Sequence, residues 1–385
     1  MKDNEIYVTG IGVVSAFGDT IEDFEAGLRL REKMLGKIDH FEYAGVDHPT
    51  AISAKSLQVH KDPHRRIVYL GENALKSALN NWSGDISRYK KIGFVLGSGL
   101  GFTDQLYYID ENNYERNYLS TLAEQISKQC NLQCESIYIG NACCAGSQAI
   151  SYGMDLLEMG SYDLIIAGGI DILSQMAYAG FTRLNSIDPD GCRPFDKNRK
   201  GISVGEGAVF FILEKQSSVN GQQIKKYCNL AGSGITNDAY HIVQMKKSGE
   251  GIKNAISSAL HEAQIMKNEV DLVIAHGTGT LLNDKVESQV LTEYFGSDLE
   301  NMLITNPKGS IGHTGGASGA FGLLMAIISL NTGIVEPIAN LKEIDPDCKI
   351  PVVKDVSIKH NLHTAIVNAF AFGGTNVVLV CRKAC

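Results

Sequence analysis

The sequence predicts an α/β fold, on three observations. Buried strand patterns alternate with helical ones along the chain. Forty glycines stand against eight prolines, with no collagen-like period; that usage fits tight turns where backbone approaches a ligand or another element. The 385 residues are 44% hydrophobic and 20% charged, an ordinary globular composition able to bury a large core without staples.

The elements follow in order. A strand at Ile6–Thr9 runs into Gly10, Gly12 and Gly18. A periodic helix spans Ile67–Leu79. The buried strand Ile92–Leu96 ends in Gly97-Ser98-Gly99. A short strand, Ile137–Ile139, precedes a helix at Gly146–Met159. Strand Leu164–Ala167 ends in Gly168-Gly169, and Val209–Leu213 and Tyr227–Ala231 extend the β content. Helix Gly251–Ala263, strand Leu272–Ala275, helix Lys285–Phe295, strand Met302–Thr305 and the apolar helix Gly316–Asn331 come next. Val367–Val380 is β-like but broken by Gly373-Gly374. The alternation implies a mostly parallel sheet covered by helices. The pattern divides near residue 225 into halves 1–225 and 226–385.

The net charge of −8 argues against a broad nucleic-acid surface. Nine cysteines occur, at 130, 134, 143, 144, 192, 228, 348, 381 and 385. None makes a C-x-x-C pair or a zinc spacing, so no metal site and a reducing, cytoplasmic setting are expected. The start, Met1 to Glu5, carries no apolar signal region. The longest apolar runs, such as Leu323 to Ile328, fall short of a membrane span.

Four stretches carry chemistry. In Ile137-Tyr-Ile-Gly-Asn-Ala-Cys143-Cys144-Ala-Gly146 a strand runs through small residues into a helix. A cysteine there faces free helix N–H groups, which favour a thiolate of lowered pKa; the alternative is two buried structural thiols. His276 in Ile274-Ala-His-Gly-Thr-Gly-Thr280 ends a buried strand, where side chains commonly meet ligands. It suits acid, base or donor roles, or merely stabilises a turn. Lys308 and His313 lie five residues apart in a Gly-rich loop that lacks the order of a phosphate loop. Lys308 alone reads equally as a solvated charge, and His313 as a locally bonded helix-start residue. Asn368-Ala-Phe370-Ala-Phe372-Gly-Gly-Thr-Asn376 offers a tight turn with exposed N–H groups, half of an oxyanion hole, or a hairpin with core aromatics. One cysteine, two histidines and a lysine together suit thioester chemistry.

On these residues the sequence resembles the β-ketoacyl-[acyl carrier protein] synthases, condensing enzymes of the thiolase superfamily, and most of all the synthase II type. The resemblance also covers Val8 to Ser15, Arg193-Pro-Phe-Asp196, Gly205-Glu-Gly-Ala208, Asp284 and Glu287. It implies a thiolase-like fold of two halves in a five-layer αβαβα sandwich, normally a dimer. It also implies decarboxylative condensation of an acyl chain with malonyl-carrier protein. Cys143 resembles the acylated nucleophile. His276 and His313 resemble the pair that promotes decarboxylation, and Lys308 the lysine that organises the site. Cys143 and Phe372 resemble the oxyanion hole, Phe372 being also the gate. Thr278 and Thr280 match positions that bond the pantetheine arm. No bound cofactor is implied; substrates arrive on the 4′-phosphopantetheine of acyl carrier protein. Lys61, Arg65 and Arg66 match the carrier-docking region, and Lys197, Arg199 and Lys200 form a second candidate patch.

The sequence also departs from the family. Gly322 stands where fatty-acid synthases usually carry Glu. Ala371 replaces a common gate glycine, and Ile242 to Met245 replace a Thr/Pro-containing stretch. The segment from Gly101 to Cys143 is shorter than usual, and Phe102, Tyr107 and Tyr108 are candidates for reshaping the acyl tunnel. Fatty-acid elongation and type II polyketide or polyene synthesis are both open, as a homodimer or a ketosynthase heterodimer. The rivals are a non-catalytic chain-length partner and a carrier-dependent acyltransferase.

Overall fold

A computed structural model describes residues 5–31, 34–39, 41, 49–57, 62–99 and 118–384. Ten strands form one twisted sheet: β1 (Ile6–Val14), β2 (Ile92–Gly97), β3 (Glu135–Ile139), β4 (Leu164–Asp171), β5 (Gly207–Lys215), β6 (Cys228–Asn237), β7 (Leu272–Ile274), β8 (Leu303–Thr305), β9 (Thr364–Phe370) and β10 (Thr375–Lys383). Their order is β8-β7-β9-β10-β6-β1-β5-β4-β2-β3. Reading outward from the β1–β6 seam, each five-strand set repeats one order: first, fifth, fourth, second, third. The seam is short, pairing Ile6 with Leu230, Tyr7 with Asn229 and Val8 with Cys228.

The expected mostly parallel sheet is instead mixed. The pairings β4–β2, β2–β3, β9–β7 and β7–β8 are parallel, whereas β1–β5, β5–β4, β9–β10, β10–β6 and β1–β6 are antiparallel. A helix at Tyr118–Gln129 connects the parallel neighbours β2 and β3, and one at Leu281–Phe295 the parallel neighbours β7 and β8; the tight glycine turn between β9 and β10 makes an antiparallel hairpin.

Among the described residues eight longer helices accompany the sheet: α1 (Ile21–Leu30), α2 (Pro63–Asn81), α3 (Tyr118–Gln129), α4 (Ala145–Glu158), α5 (Gln175–Arg183), α6 (Glu250–Ala263), α7 (Leu281–Phe295) and α8 (Ser318–Thr332). Helices α2 and α3 pack their apolar stripes against Phe94, Leu96 and Phe210 of the first strand set. Helices α6 and α7 cover the second set. Helices α4 and α8 fill the layer between, joining residues from both sets in one core. This is the five-layer arrangement.

Residues 315–332 are long and apolar enough to cross a membrane by composition, and 83% of that window is buried inside the protein. Within the expected helix Gly316–Asn331 the strictly apolar run Leu323–Ile328 is short because small residues precede it. Helix α8 is apolar on all sides because other elements surround it.

Helices α1, α3 and α5 are additional to the elements expected from the sequence. Each is short and shows few strongly apolar positions; α1 buries only Phe24, Gly27 and Leu28. The signals of α1 and α5 are caps: Thr20 accepts from Asp23 N–H at 3.0 Å and Ser174 from Ala177 N–H at 3.2 Å.

Candidate active site

The site lies where the strand ends of the two sets converge. Strand β3 ends at Ile139, and a single 3-10 turn, Ala142–Cys144, leads into α4. Ala142 has φ of 39°, a left-handed conformation costly for a residue with a Cβ. That kink presents Cys143 to a cavity of about 330 Å³. The same cavity is lined by His276, Thr278, Thr280, His313, Phe370 and Phe372. A smaller recess, about 30 Å³, opens on the other side of Cys143, between Phe181, Ile172, Val204 and Phe372.

The N–H groups of Cys143 and Phe372 both bear on the Cys143 sulfur, and with Lys308 they favour its thiolate. Burial works against them and is the larger effect. The Cys143 thiol is pushed up to about 12, which overturns the expected lowering. The reason is placement: Cys143 precedes the first turn of α4 and is only 8% exposed.

His276 follows β7, and its backbone is clamped. Its N–H and that of Gly277 both donate to Glu287, at 2.8 Å each. Asn306 Nδ2 donates to the carbonyls of Ala275 and His276. Lys308 is buried, not solvated, and its Nζ donates to the His276 carbonyl at 2.5 Å. Burial and Glu287 act on Lys308 in opposite directions; its pKa is lowered overall. The rings of His276 and His313 are 5.7 Å apart, edge to face. Burial first, then Lys308, holds His276 well below its ordinary pKa and His313 down at about 3. Both imidazoles are therefore neutral at pH 7.

Phe372 is 38% exposed, stacks 5.9 Å from Phe181, and sits on the turn that closes the β9–β10 hairpin. Gly373 and Gly374 there have φ of 85° and 83°, which only glycine adopts readily. Gly373 N–H donates to the Ile242 carbonyl at 2.8 Å. Val243, Gln244 and Met245 line the cavity, so the divergent stretch still forms a pocket wall. Thr278 and Thr280 share a hydrogen bond of 2.9 Å. Phe370 is a buried hairpin aromatic, 5.4 Å from His276. A Cβ at Gly322 would come within 2.8 Å of Val367 and 3.4 Å of Ile274, so this face of α8 has no room for a glutamate.

The docking expectations need correction. Arg66 is 2% exposed and is ion-paired with Glu206 at 2.5 Å inside the protein; it lies on the apolar face of α2. Arg65 is exposed. Lys61 lies outside the described residues, as do Phe102, Tyr107 and Tyr108. In the second patch Arg199 is buried against Asp284 and Asp345, and Lys197 and Lys200 pair with Glu343 and Asp190.

Four polar residues around the site had no role assigned from sequence. Glu287 and Asp284 lie three apart on α7; Asp284 accepts from Phe195 and Gly279 N–H. Asp171, ending β4, accepts from Ser98 Oγ, Gly99 N–H and Gly316 N–H. Asn306 precedes the lysine. Carboxylates at strand ends and i, i+3 acids after His276 were the readable signals.

Residues 62–218 match the β-ketoacyl synthase N-terminal domain and residues 227–342 its C-terminal domain. The chain belongs to the β-ketoacyl synthase family. It is an acyltransferase of the ketosynthase type. Nodulation protein E of Rhizobium meliloti is 28% identical over 405 residues, covering 99% of this chain and 100% of that protein. The 3-oxoacyl-[acyl-carrier-protein] synthase 2 of Synechocystis sp. is 28% identical over 412 residues, covering 100% and 99%. The solved ishigamide ketosynthase/chain length factor superposes with a TM-score of 0.88 at 27% identity, covering 99% of each chain.

Proposed function

We propose that this ketosynthase condenses a Cys143-bound acyl chain with malonyl-carrier protein in four steps. Cys143 sulfur attacks the carbonyl carbon of the acyl-carrier thioester, and the carrier leaves as its free thiol. Malonyl-carrier then occupies the cavity, its pantetheine arm along Thr278 and Thr280. Neutral His276 and His313 donate to the malonyl thioester oxygen as CO2 departs, holding the enolate. The enolate carbon attacks the acyl-Cys143 carbonyl; the N–H groups of Cys143 and Phe372 hold the oxyanion, and thiolate expulsion completes the β-ketoacyl-carrier product. One such donor is worth about 3–4 kcal/mol in the transition state.

The observation that carries the reading is the pair of N–H groups on the Cys143 sulfur in a cavity shared with two neutral histidines. Lys308 holds the His276 loop through its carbonyl. Residues 1–225 and 226–385 are the two halves, the first supplying the nucleophile and the second the donors. No bound cofactor takes part, and the free thiols fit a reducing, cytoplasmic compartment. Edge strand β3, half-buried and paired on one side only among the described residues, supports a dimer, homomeric or with a second ketosynthase-like chain.

The carrier docks near the start of α2, where Arg65 is exposed and, among the described residues of the expected patch, free to meet an acidic partner. Arg65→Glu should raise KM for the carrier substrate severalfold; an unchanged KM removes Arg65 from docking. Incubation with acyl-carrier and malonyl-carrier should release CO2 and give a product longer by two carbons, read by mass spectrometry. Acyl transfer without CO2 release would favour the acyltransferase. A set of saturated and polyene acyl carriers separates fatty-acid elongation from the specialised pathways.

A further inference from the structure

We infer that Phe195 is a positioning residue for His276, an aromatic plug sent from residues 1–225 into the core of the second strand set, where it fixes the turn that carries the histidine. The inference rests on the ketosynthase reading of the site. Phe195 belongs to the stretch Arg193-Pro-Phe-Asp196, which the condensation steps leave without a role.

Two observations single it out. Phe195 has φ of 62° and is 0% exposed. A left-handed backbone is an outlier for a bulky residue, and it persists only where the surroundings impose it. The bonds that impose it are in place: Phe195 N–H donates to Asp284 Oδ2 at 2.7 Å, and its carbonyl accepts from Asp345 N–H at 2.9 Å. The second observation is where the ring goes. Among the described residues, Phe195 is the one member from 1–225 in the core cluster of the second set.

The ring ends against the histidine turn. Gly277 follows His276 and has φ of 40°. A Cβ on Gly277 would lie 2.9 Å from Phe195 Cε2 and 2.9 Å from Asn306 Nδ2. The ring edge and the amide therefore fill the space that a side chain would take. Asp284 sets the two segments in register, because its Oδ1 accepts from Gly279 N–H at 3.2 Å while its Oδ2 holds Phe195. Cys192 Sγ, from the same segment as Phe195, donates to the Thr278 carbonyl at 3.2 Å.

Glu287, Asn306 and Lys308 hold the polar groups of residues 275–277. Hydrogen bonds accept a broad range of angles, so those bonds alone let the turn tilt toward any open side. Close packing does not, because repulsion rises steeply with approach. Phe195 closes that side. His276 Nδ1 has no hydrogen-bond partner among the described residues, so on that side the ring takes its place from the turn and from packing. Phe195 does not line the cavity; its influence on substrate passes through His276, which makes it a positioning residue and not a catalytic one.

The test uses the full chain as wild type, Phe195→Leu and Phe195→Met. Both replacements keep an apolar side chain and remove the planar ring. Two half-reactions are measured below the lowest melting midpoint: acylation of Cys143 from acyl-carrier, and CO2 release from malonyl-carrier. Carbon-13 spectra of ring-labelled histidine, assigned with His276→Gln, report the His276 ring. Each variant should slow CO2 release about tenfold while changing Cys143 acylation less than twofold, and should shift or split the His276 signal. With two variants, failure of one to fold leaves the other to decide. In a folded variant, equal slowing of both half-reactions, unchanged CO2 release, or an unchanged His276 signal would each overturn the proposal. A wild-type chain that releases no CO2 overturns the ketosynthase reading instead, and the His276 spectrum still decides the role of Phe195.

Discussion

The two five-strand sets have the same strand order and different chemistry at equivalent places. After β3 the first set turns into α4 through a strained Ala142 and delivers a sulfur. After β8 the second set turns toward α8 and delivers Lys308 and His313. After β4 the first set ends in Asp171, which ties down backbone N–H groups; after β9 the second ends in Phe370 and the Phe372 turn. One set thus builds a nucleophile on a rigid support, and the other builds neutral donors and a gate. The same topology supports both because the chemistry sits in the turns after the strands and not in the strands themselves.

The largest expected effects separate the sets by half-reaction. Cys143→Ala should abolish acyl loading, by a factor of at least ~10⁴, seen as loss of the acyl-enzyme mass. His313→Ala should leave loading measurable and slow CO2 release on the order of 10²–10³-fold. A His313 variant that loses loading as fully as Cys143→Ala would erase the division of labour.

The next effect concerns what joins the sets. Arg199, from the first, pairs with Asp284, from the second, at 3.4 Å, with side chains 1% and 0% exposed. Arg199→Met leaves a buried carboxylate without its cation, and should cost about 3–5 kcal/mol in a denaturant titration. A cost under about 1 kcal/mol, the range of surface pairs, would show that the pair does not hold the sets together.

A smaller loss is expected from Gly169→Ala. The added Cβ would stand 2.7 Å from the Gly316 carbonyl oxygen and 2.8 Å from Ala317 Cα. Backbone must shift, at about 1–3 kcal/mol. The gentlest test is pH. The reactive form of Cys143 is the thiolate, and burial keeps its pKa near 12. Below that value the thiolate fraction grows about tenfold per pH unit. Alkylation of Cys143 by iodoacetamide should therefore keep rising from pH 7 to pH 9; a plateau below pH 8 would show that the helix start and Lys308 outweigh burial.

Much of the site was legible because its parts lie in contiguous loops. Cys143, His276, His313, Thr278, Thr280 and Phe372 all line one cavity, and their residue types already pointed to thioester chemistry. The rest depended on register and depth. Arg66 falls in step with Leu70 and Ala74 on the buried face of α2, so a basic residue next to a helix start was read as surface charge when its period placed it inside. Lys308 read as a loop charge because nothing local shows that Glu287 lies near it. The thiol pKa departs from expectation for a related reason: the helix start is local, whereas burial, and after it the Asp171 charge, act on Cys143 from segments distant in sequence.

The glycines at 146, 169 and 316 meet where α4, β4 and the turn after His313 cross. A Cβ on Gly146 or Gly169 would lie within 3 Å of the Gly316 carbonyl oxygen. Main chain therefore touches main chain between the segment that bears the sulfur and the segment that bears the donor histidine. Such a joint has no side-chain rotamers of its own, so it works as a gauge: it sets the separation of the two backbones from which the sulfur and the histidine project. Selection for longer, shorter or stiffer acyl chains can recut the walls of the recess without recalibrating the reaction centre. An inhibitor that bridges Cys143 and His313 meets two backbones held at a fixed separation and can adapt only through the two side chains.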